Sequence, residues 1–517
     1  MGEIIAMNAE LQIQPELPPS IKRNPKVVVV GAGMSGMLAA IKMHEAGISD
    51  VTIYEKADKV GGTWRDNRYP GLTCDVPAHA YTYSFEPNPE YSHRYPRGPE
   101  IFEYFERVAK KYNLYSNIRF NSELVKAEFV DGRWQLETKD GEAVTADIVI
   151  CASGVLHQPH YPNIDGLDSF EGAIFHTARW DDSIDLIGKK VGLIGTGSTA
   201  IQIFPQVQKI AAKMTLFQRT PQWIYPTPDR VYTEKHKERL RKHPWLASWL
   251  HGFYIKLFFD WFFAKAVIGN KPLLKFIAWV CRWHLETKVA DPELREKLRP
   301  DYQAACKRLI FANGFYEAIQ ESNAALVTEG IERIEPKGIR TTDGQLHELD
   351  VIVLATGFKA HNFMRPMEMI GEKGLTIDEA WEQGAQAHRS IAMPGFPNFF
   401  MLVGPNSPIG NFSLILISEL QMKFIMQLVD LWRQGKADEI EPRREAMVQY
   451  NEAIKHAMTG TVWVTGCQSW YIDKFGNPAM YPWSLQKFRR EMDHPQLAEF
   501  KIRAPEVVPG GTEKIAA

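Results

Sequence analysis

Two glycine-bearing runs carry residue types that can cradle phosphates, and each is followed by a residue that tells one ribose from another. In KVVVVGAGMSGMLAAIKMHEAGISDVTIYEK, Gly31, Gly33 and Gly36 stand at GxGxxG spacing after the β-branched run Val27 to Val30. An alanine-rich stretch to about Ala46 predicts a helix, and Val51 to Tyr54 predicts a second strand ending at Glu55. That order places a pyrophosphate at a helix N-terminus, where free N–H groups and the helix dipole attract anions. Glu55 can accept hydrogen bonds from a ribose hydroxyl and repels a 2′-phosphate, which selects FAD or NAD. In KKVGLIGTGSTAIQIFPQVQKIAAKMTLFQRT the order returns as GxGxxA, with Gly195, Gly197, Ser198 and Ala200 after the strand Val191 to Ile194. Its second strand, Met214 to Phe217, ends in Gln218, Arg219 and Thr220 rather than in an acid. A cation beside a hydroxyl suits the 2′-phosphate of NADPH.

Opposite ribose preferences in one chain imply two different dinucleotides, and electron transfer from one to the other is the chemical use of holding both. A flavin and a nicotinamide make that pair. The elements that must position them are α/β: two Rossmann-like dinucleotide-binding units, one for FAD and one for NADPH, with a helical insert in the second. ADIVICASGVLHQP (146–159) and LDVIVLATGFKA (349–360) each read as a buried strand ending in a small-residue turn, the form expected of crossings between the two units. The chain then divides into a flexible lead (1–22), the first part of the FAD unit (23–160), the first part of the NADP unit (161–228), the insert (229–305), a return to the NADP unit (306–388) and a C-terminal part of the FAD unit (389–517).

The bulk properties agree with a multi-domain enzyme. A length of 517 residues exceeds what one core organises. A formal net charge of −2 argues against a nucleic-acid partner, which needs a basic excess to displace counterions. Cys74, Cys151, Cys281, Cys306 and Cys467 form no CxxC pair and no metal-ligand cluster, so a reducing, cytoplasmic setting without a structural metal fits best. The stretch 243–280 is dense in aromatics, but Lys256, Asp260 and Lys265 interrupt it too often for a transmembrane helix. Its helical period predicts buried helices, with a membrane-surface or substrate-access helix as the alternative.

A third segment has no nucleotide-binding logic of its own. In FEGAIFHTARWDD, Phe170, Gly172, His176 and Trp180 stand at fixed offsets, followed by Asp181, and composition alone produces that spacing about 0.002 times per chain. Between the two nucleotide loops, it resembles the FxGxxxHxxxW fingerprint of the type I Baeyer–Villiger monooxygenases, which continues with Pro or Asp. A second pattern of that family is matched in GGTWRDNRYPGLTCD by Gly61, Gly62, Trp64, Tyr69, Pro70, Gly71 and Asp75, with Thr63 inside it. The resemblance runs from about residue 24 to 490.

The resemblance implies an NADPH- and O2-dependent flavoprotein that inserts one oxygen atom next to a ketone carbonyl through a flavin C4a-peroxide, giving an ester or lactone, with sulfoxidation as a side activity. A fixed cation near the peroxide favours its nucleophilic anion and later stabilises the oxyanion of the adduct. In CKRLIFANGFYEAIQESN the resemblance assigns that cation to Arg308, a further 2′-phosphate contact to Lys307, and to Asp75 the task of holding Arg308. It places Gly62, Thr63, Trp64 and Tyr81 along the flavin. The fingerprint lies near an interdomain crossing, so His176 and Trp180 are read as a latch coupling domain arrangement to NADPH occupancy; direct acid–base work by His176 stays open. Trp470 resembles the residue of a mobile substrate loop, although the Gly-Ala-Asn-Ile-Pro-Gly run common in cyclohexanone-oxidising members does not follow it. The first rival is a flavin-containing monooxygenase acting on nitrogen or sulfur, which typically lacks the counterparts of Trp180 and Asp181. A flavin disulfide reductase would need a CxxC, and a non-catalytic nucleotide sensor would need neither Arg308 nor Asp75. Neither the particular ketone nor an oligomeric state is written in these motifs.

Overall fold

The computed structural model describes residues 22–467 and 469–504. Nearly all of the expected N-terminal lead and the last thirteen residues lie outside them. The run Val27–Val30 forms a strand paired in parallel with Val51–Tyr54 on one side and Ile148–Cys151 on the other. Ile118–Arg119 and Phe399–Met401 extend this to a five-stranded parallel sheet. Val27, Val28 and Val29 have no exposed surface, which is why the strand reads as an unbroken apolar run rather than an alternation.

The loop after that strand depends on two glycines. Gly31 takes φ +97°, and a Cβ on Gly36 would lie 1.8 Å from the Gly31 carbonyl oxygen. The helix Met34–Glu45 therefore seats its first turn directly against the loop, with its N-terminus toward the space beyond the strand ends.

A second parallel sheet repeats the plan with strands in the order Ala324–Val327, Lys213–Phe217, Lys190–Ile194, Val351–Leu354 and Ala173–His176. Helix Ser198–Gln208 follows its glycine loop, and Ala200 is fully buried. The two crossing segments run side by side: His160 N–H donates to the Gly357 carbonyl (2.8 Å) and Lys359 N–H to the Gln158 carbonyl (2.9 Å). One strand corrects the division drawn from sequence. Glu368–Ile370, placed there in the NADP unit, pairs with Leu124–Val130 of the first unit, so the chain has returned well before residue 389. Three residues between loops carry no period from which that pairing could be read.

The insert consists of helices Glu234–Lys242, Pro244–Tyr254, Phe263–Val267, Lys271–Lys288 and Pro292–Lys297, with a π-helical stretch at Ile255–Phe262. The expectation of buried helices holds for only one face. Ala247, His251, Ile255, Phe259, Phe263 and Ile277 are buried, whereas Trp245, Trp249, Trp261, Trp279 and Trp283 are exposed. Helical period reports that a stripe is apolar, not that a partner covers it. Among the described residues no helix is long and apolar enough to cross a membrane.

Gly36→Ala is expected to destabilise the first unit by about 1–3 kcal/mol, because helix and loop must separate to admit the methyl group. The temperature at which flavin fluorescence is released should fall relative to wild type; an unchanged release temperature would show that the loop relaxes freely.

Candidate active site

Asp75 ends the Tyr69–Asp75 stretch, between the short helix Thr63–Asp66 and the turn at Ala78–Ala80. This stretch is tied across to the second unit. Gln202 Nε2 donates to the Thr73 carbonyl and hydroxyl (3.1 Å each), and the Tyr69 hydroxyl donates to Gln202 Oε1 (3.2 Å). Arg308 arrives from the opposite direction, two residues before the strand Ile310–Phe311, which pairs with Ile224–Tyr225. Its Nη2 donates to Asp75 Oδ2. The Asp75 charge raises the Arg308 pKa above its usual value, against the opposing effect of burial. The Tyr471 side chain lies near the same guanidinium, and burial pushes its hydroxyl up to about 12. Arg308 is thus a fixed cation with a neutral phenol close by.

Both glycine loops open onto one cavity of about 510 Å3. Gly31, Gly33 and Glu55 line it from the first unit and Gly197 and Ser198 from the second; Asp75, Arg308 and Trp470 line it as well. A neighbouring cavity of about 1150 Å3 is bounded by Tyr69, Leu72, Trp180 and Gln202. Two phosphate-binding loops facing a shared space that also holds a paired arginine is an arrangement for moving electrons between two dinucleotides and then to a third molecule.

Known proteins bear on this geometry. A family model described as flavin-binding monooxygenase-like matches residues 24–368. An uncharacterized monooxygenase of Mycobacterium tuberculosis is 48% identical over 93% of this chain and 97% of its own length. A Baeyer–Villiger monooxygenase of Streptomyces coelicolor is 37% identical over 94% of each chain. The chain belongs to the Baeyer–Villiger monooxygenases. The crystal structure of OTEMO in complex with FAD and NADP superposes with a TM-score of 0.85 at 27% identity, covering 93% of this chain and all of that one.

Within this Baeyer–Villiger fold the remaining sequence-selected residues fall into three groups. Around the first loop, Glu55 is buried; Ala32 N–H donates to its Oε2 (2.8 Å) and Arg65 pairs with its Oε1 (3.0 Å). Gly62, Thr63 and Trp64 line the shared cavity, and Trp64 Nε1 donates to the Tyr81 hydroxyl (2.9 Å). Around the second, Arg219 and Lys307 lie close enough for Arg219 to depress the Lys307 pKa, after the larger effect of burial. Lys307 Nζ stands 4.7 Å from the centre of the Tyr302 ring. Two neighbouring cations of this kind suit an anion. The Thr220 carbonyl accepts from the Thr196 hydroxyl (2.8 Å), which fixes the backbone beside them.

The third group is the fingerprint, which builds an edge of the second sheet. Phe170 is buried, Gly172 leads into the strand Ala173–His176, and His176 aligns with Leu354 of its neighbour. Ala178 N–H donates to His176 Nδ1 (3.1 Å), while Nε2 faces Gly357 at the crossing without completing a hydrogen bond. Burial holds His176 down at about 4. Trp180 packs edge-on against Phe175 (5.1 Å) in a cluster that also contains Tyr69 and Leu72. Asp181 is exposed and caps its own turn, accepting from Ser183 N–H (2.9 Å) and the Ser183 hydroxyl (2.6 Å). The segment therefore meets both the crossing and the docked Tyr69–Asp75 stretch.

Several neighbours were invisible in the sequence. Arg65 follows the GGTW run and Tyr471 follows Trp470, so adjacency to a motif was the only signal for either. Gln202 is one of three glutamines in the helix Ser198–Gln208, with no sign of its target. Cys306 and Cys467 form a disulfide across 161 residues, against the reducing setting inferred from scattered cysteines. It ties the segment of Lys307 and Arg308 to that of Trp470 and Tyr471. Spacing carries no pairing information at that separation.

His176 supplies a pH dependence. With its folded pKa near 4 and a reference value of 6.5, it is neutral when folded and gains a proton on unfolding. Stability present above pH 6.5 is lost as pH falls toward 4, by at most about 3 kcal/mol. The melting midpoint of His176→Gln should fall less steeply than wild type between pH 6.5 and 4.5; parallel curves would show that the ring is free to charge in the native state.

Proposed function

We propose that this chain converts a ketone to an ester or lactone with NADPH and O2, using FAD as its bound cofactor, with sulfoxidation as a side activity. The observation carrying the proposal is the opening of both glycine loops and of the Arg308–Asp75 pair onto one cavity. The family relatives and the FAD- and NADP-bound structural neighbour support the cofactor assignment. A cytoplasmic setting belongs to the same reading on the ground of NADPH supply alone, the Cys306–Cys467 disulfide being the one observation against a reducing compartment.

The residues fit the two dinucleotides. Gly31, Gly33 and Gly36 let a pyrophosphate approach the first helix N-terminus, Glu55 has lone pairs left for a ribose hydroxyl, and Gly62, Thr63, Trp64, Tyr81 and Asp75 would flank the flavin. Gly195, Gly197, Ser198 and Ala200 would form the NADPH pyrophosphate seat, with Arg219, Thr220 and Lys307 around the 2′-phosphate. When bound, FAD supplies the redox chemistry, accepting hydride equivalents from NADPH and activating O2.

The chain's own residues then do the following. Arg308 stays protonated because Asp75 neutralises it, and it offers guanidinium N–H donors to the negative charge that develops on the oxygen of an attacked carbonyl. Asp75 holds the guanidinium in place, and the Gln202–Thr73 hydrogen bonds hold the stretch that carries Asp75. His176 and Trp180 act by position, as the latch between crossing and docked stretch.

Three substitutions test two separate parts of this reading. Arg219→Ala removes a charged hydrogen bond to the 2′-phosphate and should weaken NADPH about 10- to 100-fold with little change for NADH. Equal losses for both coenzymes would remove the assignment.

Arg308→Ala should abolish ester formation while flavin still bleaches with NADPH under anaerobic conditions, because hydride transfer does not require this cation. Residual oxygenation should favour a sulfide over a ketone, and Asp75→Ala should show a milder form of the same pattern. The measurements are stopped-flow flavin absorbance and product analysis on matched ketone and sulfide substrates. Ester formation at the parental rate by Arg308→Ala would refute the Baeyer–Villiger assignment of this arginine.

A further inference from the structure

The outer face of the helical insert is an aromatic surface that nothing in the described chain covers. Trp245, Trp249, Phe253, Leu257 and Trp261 follow one another at every fourth residue and are between 43% and 68% exposed. In a regular α-helix each such step drifts about 40° around the axis, so the five would spiral away from one face. Here the drift is taken back. From Ile255 to Phe262 the helix is π, with more residues per turn, and a four-residue step there falls short of a full turn. The α portion carries Trp245, Trp249 and Phe253 one way, and the π portion brings Leu257 and Trp261 back beneath them.

A second stripe joins the first. Phe262 packs against Phe276 at 6.3 Å and Phe276 against Trp279 at 5.9 Å, and Trp283 follows one turn later, these last three being about half exposed. The two helices present one continuous aromatic patch of the kind that marks an interaction surface rather than scattered exposure.

The surrounding charge selects the partner. Between Lys235 and Arg282 there are ten lysines and arginines against two acids, in a chain whose formal net charge is −2. Lys256, Lys265, Lys271, Lys275 and Arg282 are exposed among the aromatics, and Lys256 Nζ sits 5.5 Å from the centre of the Trp261 ring. A self-complementary dimer through this face would set lysine against lysine. An anionic lipid surface does the reverse: its headgroups neutralise the cations, and tryptophan side chains reside at headgroup depth with their N–H groups hydrated.

We propose that this face seats the enzyme, peripherally and without spanning, on an anionic lipid bilayer. The inner side of the same helices reaches the shared cavity: Phe258 packs on Phe311 (5.9 Å) and Phe259 on Phe412 (6.3 Å), and Phe311 and Phe412 line that cavity. Seating the outer face on lipid therefore places a wall of the cavity one helix thickness from the bilayer. The inference stands on the surface alone and not on the reaction assigned above.

The test is co-sedimentation of the FAD-loaded enzyme with vesicles of phosphatidylcholine, with and without one third phosphatidylglycerol. Binding should require the anionic lipid, weaken with added salt and shift tryptophan emission to the blue. Trp249→Ser/Trp261→Ser/Trp279→Ser should reduce the bound fraction at least about tenfold with flavin content and NADPH oxidation unchanged. If that variant loses its flavin, Lys256→Glu/Lys265→Glu/Lys275→Glu, altered only at exposed cations, should lose binding by a similar factor. Failure of the wild-type enzyme to bind anionic vesicles would overturn the proposal. So would equal binding by wild type and variants, or a dimer seen by light scattering that buries the patch in place of lipid.

Discussion

Arg308 keeps its charge in a cavity wall because Asp75 lies against it, and that pairing spans 233 residues and two units of the fold. The pair is half-buried, with 40% of the Arg308 side chain and 22% of the Asp75 side chain exposed, so what Asp75 supplies is above all the position of the guanidinium. The pair therefore acts as a geometric requirement. The Tyr69–Asp75 stretch must dock on the second unit for Asp75 to arrive, and the strand Ile310–Phe311 must lie against Ile224–Tyr225 for Arg308 to meet it.

The docking is specified by polar contacts of modest individual strength. Gln202 uses both ends of its amide on Thr73 and Tyr69, and the crossing segments are stitched by paired backbone hydrogen bonds beside Gly357. His176 faces the crossing and Trp180 packs among Tyr69 and Leu72, so one short segment touches both connections. This explains how a segment lying outside both glycine loops can bear on the relation between them. The Cys306–Cys467 disulfide adds a covalent link between the Arg308 segment and the loop of Trp470 and Tyr471. Three separate devices thus hold the elements around one cavity.

The insert shows a different balance. Its inner face contributes Phe258 and Phe259 to the packing behind Phe311 and Phe412, so its helices belong to the site's architecture. Its outer face spends eight large apolar residues on exposure, which a monomeric globular surface has no reason to concentrate in one place. The π stretch connects the two demands. By correcting the helical phase it keeps Ile255 and Phe259 inward while Leu257 and Trp261 stay outward.

Much of the fold was legible from residue order. Val27 to Val30, Gly31, Gly33, Gly36 and Glu55 define a strand, loop, helix and acid whose spacing is a local property, and the same holds from Val191 to Arg219. Local hydrogen bonding and short-range sterics set such units, so sequence alone determined two strand–loop–helix units of dinucleotide-binding form; the ribose preferences assigned to Glu55 and Arg219 belong to the proposed function. The fingerprint and the Lys307–Arg308 step were readable only through family resemblance, because neither has a period or a turn that dictates its surroundings. Tertiary structure alone decided that Gln202 would hold Thr73, that Tyr471 would lie beside Arg308, that Cys306 would meet Cys467, and that the insert's tryptophans would face outward. Each of these depends on where two distant segments come to rest, and that is set by the summed packing of both sheets and all their connections rather than by any pattern within one segment.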